Sequence, residues 1–297
     1  MSILKNVPLM VLAAVAFGFI FPGPGIFLKP YLVYLLMIMM FFSCLKIELK
    51  EMKKIPENWW RFLILLVIIF FIPSMIIYFF HFWLEDMIFV GLIIAAAMPA
   101  GISIVFLSDL LGGEPIKALV VTTLTHILSP IVTPLVIWLF ARKIVNIDFG
   151  SMVVLIGQLV IVPLILAQVV KRLSIYNKVL KVGGSLNLIL LFLLVWSSIA
   201  LARAPILENI YQFFISFFVV LLLLVVTVIF SVWFGRSRSE DITWAVSGTY
   251  KNFTLASVVA LTMFGPVAMV GAAVYDVLDN LLLIPIKWWA VKNNPKK

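Results

Sequence analysis

The sequence SGTYKNFT at residues 247–254 is a polar run inside an apolar block that we predict to span a membrane at 242–264. Backbone exposed by a helix break is tolerated at membrane depth only against protein or a water-filled cavity. A matching interruption is predicted within 87–111, because Pro99 lacks an N–H and clashes with the preceding turn, while Gly101 relaxes the backbone. Two breaks at matching places indicate a shared polar centre.

The composition around these breaks is that of a membrane protein. Apolar residues make up 64% of the 297 residues, charged residues 12%, and the mean hydropathy is +1.22. Soluble domains are about half apolar and about a quarter charged. The apolar blocks are about twenty residues long, which predicts spanning helices rather than the ten-residue alternating segments of a barrel. We predict about ten transmembrane helices, at 6–22, 30–46, 60–81, 87–111, 116–141, 149–171, 182–202, 209–235, 242–264 and 267–289.

An internal repeat relates the two breaks. At an offset of 151 residues, Pro115 falls on Pro266 and Pro134 falls on Pro285. Each half would hold five spans, and an odd number places the halves in opposite orientations. Inverted repeats whose spans are interrupted near the midplane are typical of secondary transporters. The predicted architecture is one all-α membrane domain over 1–297, with inverted repeats at about 1–145 and 146–297.

Basic residues predict the orientation of the chain. The segments that include both termini hold 17 Lys and Arg residues, and the opposite loops hold 4. Since basic residues near spans stay in the cytoplasm, both termini are predicted to be cytoplasmic, in a multi-pass protein of the cell membrane. This bias accounts for the net charge of +9 without a nucleic-acid partner.

Several patches resemble one transporter family. They are AMPAG at 97–101, LSPIVTP at 128–134, KNFTLA at 251–256 and KIEL at 46–49. They are similar to motifs of the bile acid:sodium symporters. The resemblance implies ten helices in a panel domain and a core domain, two discontinuous helices that cross in the core, and transport by alternating access.

The family's sodium ligands are mostly replaced in this chain. The resemblance places them at seven positions, of which only Thr122 keeps its residue type, together with the neighbouring Asn252. Sodium needs a cage of oxygen atoms, and several of these side chains offer none. We therefore predict that sodium is an unlikely partner. The seven positions are Ile68, Ile104, Val105, Ala118, Thr122, Ser247 and Lys251.

Lys251 at the ninth-span break is the candidate substitute for sodium. Ionisable residues inside a membrane are expensive and indicate function, with their partners to be identified. Its ammonium could donate to nearby carbonyls and to Asp276 or Asp279, which share a helix face at spacing i, i+3. Three interpretations stay open: a permanent structural ion pair, a proton-coupling pair, and a counter-charge for an anionic substrate.

The candidate substrate-binding and coupling residues cluster at the two breaks and on the helices that follow them. His126 has two interpretations, a hydrogen-bonded core residue or a relay. No catalytic residue, metal ligand or cofactor is predicted, because enzyme motifs and Cys/His clusters are absent from a sequence with two His and one Cys. The candidates are Pro99, Ala100, Gly101, Thr122, His126, Ser247, Tyr250, Lys251, Asn252, Asp276 and Asp279.

The predicted function is secondary transport of a small solute, with an organic anion favoured, independent of sodium and with the proton as candidate coupling ion. The alternatives are a sodium symporter, an auxin-efflux-like or neutral-solute carrier, and a membrane sensor that kept the fold. The predicted partners are the lipid bilayer and the solute, for a monomer or a homodimer.

Overall fold

A computed structural model describes residues 7–47 and 59–292, in which the regular elements are helices. Parts of the sequence predictions lie outside the described residues: Lys5, the basic residues at 50–54, the end of the KIEL motif and the last two lysines. The helices are α1 (Val7–Ile20), α2 (Pro22–Phe27), α3 (Leu32–Cys44), α4 (Trp59–Phe70), α5 (Ile72–Phe79), α6 (Asp86–Ala96), α7 (Ile104–Leu111), α8 (Pro115–Ala141), α9 (Phe149–Val170), α10 (Tyr176–Glu208), α11 (Ile210–Trp233), α12 (Arg238–Thr249), α13 (Phe253–Phe264) and α14 (Met269–Lys292).

Five helical segments in the described ranges are long and apolar enough to cross a membrane by themselves. Each has at least 21 residues, and four further apolar helical stretches have 10–17 residues, so the count of ten spans stays a prediction. Large apolar side chains such as Phe82, Tyr211 and Trp233 lie exposed on the outer surface, where a bilayer would cover them. The five segments are Trp59–Phe79, Pro115–Ala141, Phe149–Val170, Tyr176–Glu208 and Ile210–Trp233.

Both interruptions expected from the sequence are present. Helix α6 ends at Ala96, and α7 begins at Ile104, so the chain between them is not helical around Pro99. Helix α12 keeps the first three residues of the polar run 247–254 and ends at Thr249. Helix α13 then begins after Asn252, whose side chain caps it by accepting from the Leu255 N–H at 3.2 Å.

A third interruption was not predicted. The segment expected to be continuous at 60–81 is divided at Phe71 into α4 and α5, two residues before Pro73. Proline inside a helix removes one hydrogen bond and crowds the preceding turn. By contrast, α8 continues through Pro130 and Pro134.

Helix contacts in one half of the chain have counterparts in the other half at the repeat offset of 151 residues. Helix α3 packs against α9 and α10 against α1, while α6 contacts α13 and α12 contacts α7. Pro134 inside α8 and Pro285 inside α14 are again 151 positions apart. Helices α9 and α10 also contact α8, α13 and α14. These contacts join the helices α1, α3, α9 and α10 to the helices that include the two breaks.

The start of α12 is held by a buried carboxylate. Glu240 accepts from Arg61 at 2.8 Å, from Lys117 at 3.1 Å and from the Arg236 N–H at 2.8 Å. Burial opposes ionisation of this carboxyl, but these donors and cations outweigh it, so the pKa of Glu240 lies below its ordinary value. Ser237 and Glu240 have the spacing of a capping box, which was the available sequence signal.

Candidate functional site

The two interrupted helices touch through their backbones. Ala100 and Lys251 form an isolated antiparallel bridge. The Gly101 N–H donates to the Tyr250 carbonyl at 2.8 Å, and the Asn252 N–H donates to the Pro99 carbonyl at 3.0 Å. At the offset of 151 residues, Gly101 corresponds to Asn252 and Pro99 corresponds to Tyr250, so the two hydrogen bonds are equivalent in the repeat.

Gly101 permits this close approach. A Cβ atom at this position would lie 2.9 Å from the Tyr250 ring and 3.0 Å from the Lys251 carbonyl oxygen. Distances this short leave no room for a side chain without a shift of the opposing strand. Gly101 was expected to relax the backbone at the first break. It also leaves the space in which the backbone of the second break approaches.

Threonines of α8 satisfy the backbone of the first break. Thr125 Oγ1 accepts from the Ala100 N–H at 3.3 Å, and Thr133 Oγ1 donates to the Ala97 carbonyl at 2.7 Å. The sequence analysis did not select either residue. Their spacing of eight, with Ser129 between them, is a polar face on an apolar helix and could have identified them.

Thr122 and His126 stand behind the crossing. The Thr122 hydroxyl donates to the Ala118 carbonyl of its own helix at 2.9 Å. His126 is fully buried, with Nδ1 2.8 Å from the Thr122 carbonyl and Nε2 3.5 Å from Asn252 Nδ2. The carbonyl needs a donor at Nδ1, which leaves Nε2 to accept from Asn252. This geometry favours the hydrogen-bonded core residue over the relay.

The hydrogen-bond partner of the Lys251 ammonium is a main-chain carbonyl rather than an aspartate. Its ammonium donates to the backbone carbonyl of Ile69 in α4 and lies 6.0 Å from the centre of the Phe70 ring. Ile69 is four residues before Pro73, so its carbonyl is the one that the proline leaves without a helical N–H. The side chain is 1% exposed. Donation to a carbonyl was expected and is present. Among the described residues the ammonium forms no hydrogen bond with Asp276 or Asp279, although its charge interacts with that of Asp279.

The two aspartates have different surroundings. Asp279 is buried, and its carboxylate lies near the main-chain N–H and the charge of Lys251 without a well-formed hydrogen bond among the described residues. Asp276 Oδ1 accepts from Asn280 Nδ2 at 2.9 Å, and Asn280 Oδ1 accepts from the Tyr250 hydroxyl at 3.3 Å. Ser247, another candidate, is buried on α12 with its hydroxyl unpartnered.

A cavity of about 110 Å³ lies beside the crossing. It brings together five of the predicted residues: Gly101, Tyr250, Lys251, Asn252 and Asp276. Its polar wall also includes Asn187, a polar residue of an otherwise apolar span for which a place on the cavity wall was one interpretation, and Ser43, Ser103 and Asn280, which were not predicted. The described residues hold no group of three or more His, Cys, Asp or Glu side chains arranged for a metal ion.

Comparison with known proteins gives two matches. A model described as the SBF-like CPA transporter family matches residues 5–278. A protein of Bacillus subtilis (strain 168), described as the uncharacterized sodium-dependent transporter YocS, is 29% identical over 163 residues. That alignment covers 54% of this chain and 51% of the relative, so the chain spans about half the length of that relative.

Proposed function

The chain belongs to the SBF-like CPA transporter family, as its resemblance to bile acid:sodium symporters predicted, and we propose that it is a secondary transporter of a small solute. It is a multi-pass membrane protein, with apolar helices exposed on its outside. The proposed location is the cell membrane with both termini in the cytoplasm, supported by the excess of basic residues in the segments that hold the termini.

The observation that carries this proposal is the crossing of two interrupted helices beside a small polar cavity. Interrupted helices that meet in this way form the solute and ion sites of many secondary transporters. A volume of about 110 Å³ is below the several hundred Å³ of pockets for drug-sized ligands, which supports a small solute.

The inverted repeat forms part of the proposal. The hydrogen bonds at the crossing, the prolines inside α8 and α14, and the pairing of α3 with α9 and α10 with α1 all follow the same offset. Two halves of similar structure in opposite orientations would give inward-facing and outward-facing states of similar energy, as alternating access requires.

Lys251 carries the proposal of sodium independence. Its ammonium already stands at the carbonyl that Pro73 frees, and Ile68 beside it offers no side-chain oxygen. A tethered ammonium would supply the positive charge that a bound cation supplies elsewhere in the family. The name of YocS describes that relative as sodium-dependent, so a sodium symporter is the second candidate function.

Asp279 is the proposed carrier of a coupling proton. A buried carboxylate without a well-formed hydrogen bond is costly when ionised, and a proton removes that cost. Protonation of Asp279 beside the crossing would change the charge of the core without a bound metal ion.

The preference for an organic anion rested on the family resemblance and the helix ends at the break, together with Lys251 as the counter-charge. The Lys251 ammonium is bound to Ile69 instead, which removes the last of these three supports. Auxin-efflux-like transport and a non-transporting sensor remain alternatives for the same fold, and the oligomeric state, monomer or homodimer, is open to both.

Alternating access is tested with a cysteine at the cavity. Thr254→Cys, in a Cys44→Ala background, places a thiol on the cavity wall, and Thr262→Cys places one on the exposed face two turns later in α13. A transporter in oriented vesicles should react with impermeant thiol reagents from both sides at 254 and from one side at 262. A cysteine at 254 that reacts from one side only would favour the sensor.

A further inference from the structure

We infer that the cavity beside the crossing binds the ammonium group of a small organic cation, with the Asp276 carboxylate as its counter-charge. The inference rests on the proposed function and names the class of its solute. It depends on how the polar groups of the cavity wall use their hydrogen-bond donors.

The donors around Asp276 are already engaged. The single proton of the Tyr250 hydroxyl goes to Asn280 Oδ1 at 3.3 Å. Asn280 Nδ2 donates to Asp276 Oδ1 at 2.9 Å and to the Asp276 carbonyl at 2.8 Å, which uses both of its protons. Asp276 Oδ2 receives none of these protons. What this side of the cavity offers a solute is therefore an acceptor that carries charge.

The opposite wall also offers an acceptor. On α10, Asn187 Nδ2 donates to the Ser43 hydroxyl at 3.0 Å, while Asn187 Oδ1 is buried and accepts from no donor in the described part of the chain. A buried unsatisfied acceptor costs about 1–3 kcal/mol in the absence of a donor. A solute with several N–H groups would satisfy Asn187 and Asp276 together.

The charges at the cavity favour a cation over an anion. Among the described residues that line the cavity, Lys251 is the one basic side chain, and its ammonium is directed to Ile69. An anionic solute would face the Asp276 carboxylate without a free counter-charge, and like charges at close range repel. An ammonium group would instead form a charge-assisted hydrogen bond with Oδ2.

The size and the apolar part of the cavity limit the rest of the solute. A volume of about 110 Å³ accommodates a few carbon atoms. Val11, Leu191 and Val195 form an apolar wall that can contact a short alkyl chain. The expected solute is a short alkylammonium compound.

The test compares three probes of similar size: n-propylammonium, n-propanol and propionate, at constant ionic strength. The readout is the rate at which a thiol reagent modifies Ser103→Cys at the cavity wall, in the Cys44→Ala background. Propylammonium should slow modification by about tenfold at saturation, and the other two should not. Equal or stronger protection by propionate or propanol, or none by propylammonium, would overturn the inference.

Two variants locate the charge. Asp276→Asn keeps the shape and removes the charge, and should weaken propylammonium binding by about tenfold or more. Asn187→Ala should weaken it severalfold, which keeps the test decisive if the first variant folds poorly. Asp86→Asn, at the exposed start of α6, is the matched control and should change nothing. Unchanged binding to Asp276→Asn would contradict the inference.

Counterflow in proteoliposomes separates this inference from the proposed function. Propylammonium that protects the cysteine but shows no counterflow would contradict transport and leave the site intact. Counterflow of propionate in place of propylammonium would support transport and contradict the cationic solute.

Discussion

The Lys251 ammonium donates to the Ile69 carbonyl, a backbone group that Pro73 leaves without its helical N–H. One side chain thus links the break between α12 and α13 to the interruption between α4 and α5. Because the pair is buried, loss of the donor leaves an unsatisfied carbonyl. The link therefore predicts that loss of the lysine destabilises the protein and that a second substitution at Pro73 partly restores the stability.

Lys251→Met should lower the free energy of unfolding by about 1–3 kcal/mol, since Ile69 loses its partner. Pro73→Ala restores a main-chain N–H to that carbonyl, so the double variant should recover part of the loss. Melting temperatures of the four proteins give the coupling energy. Pro163→Ala, which removes a proline within α9, is the control and should not rescue Lys251→Met. Additive effects of Lys251→Met and Pro73→Ala would contradict the proposed link.

Sodium should have no specific effect on stability. A ligand that binds only the folded state raises the melting temperature by mass action. We expect equal melting temperatures in sodium chloride and potassium chloride at fixed ionic strength. A rise specific to sodium would replace the tethered-cation proposal with sodium symport through other oxygen atoms.

Asp279→Asn should separate coupling from exchange. If Asp279 carries the proton, its amide analogue cannot, so a pH gradient should no longer drive solute uptake into proteoliposomes. Equilibrium exchange of the same solute should continue, because it needs no net proton movement. Thr262→Ala, on the exposed face of α13, should behave as the unmodified protein. Gradient-driven uptake by Asp279→Asn would assign the proton to another group.

Gly91→Ala and Gly157→Ala should change stability in opposite directions. A Cβ atom on Gly91 would lie 1.8 Å from the Ala268 carbonyl oxygen, where α6 meets the start of α14, whereas one on Gly157 meets nothing within 4 Å. Overpacking should cost about 1–3 kcal/mol at Gly91. The helical preference of alanine should stabilise α9 by up to about 1 kcal/mol at Gly157. Thermal unfolding in detergent measures both, and equal effects would contradict the tight helix contact.

Glu240 predicts a loss of stability in acid. Its pKa in the folded protein is lowered, so its contribution is complete above the unfolded value of about 4.3 and disappears as the pH falls through the folded value. Glu240→Gln should lower the melting temperature at pH 7 and flatten its decline between about pH 5 and pH 3. Glu114→Gln is the control, because Glu114 also pairs with Lys117 but is partly exposed, and its effect should be smaller. An unchanged pH profile for Glu240→Gln would show that this carboxylate does not anchor α12.

The sequence by itself determined the class of the protein and the two breaks. Composition decides whether a bilayer must serve as solvent, and the effects of Pro99 and of the polar run 247–254 act on their own backbone. Their locations could therefore be predicted without knowledge of the fold. The family resemblance likewise depended on short motifs, two of them at these breaks.

Tertiary structure alone decided which groups meet. Lys251 and Ile69 are 182 positions apart, and Asn187 and Ser43 are 144 apart. Two aspartates were candidate hydrogen-bond partners of Lys251 from the sequence, whereas the packing of α4 against α12 places a main-chain carbonyl at its ammonium. Asp276 and Asp279 share one helix, yet only Asp276 lines the cavity. The hydrogen-bond partner of a buried polar group is set by which groups lie within reach after the helices have packed. Those distances join residues far apart in the chain, so the local sequence does not determine them.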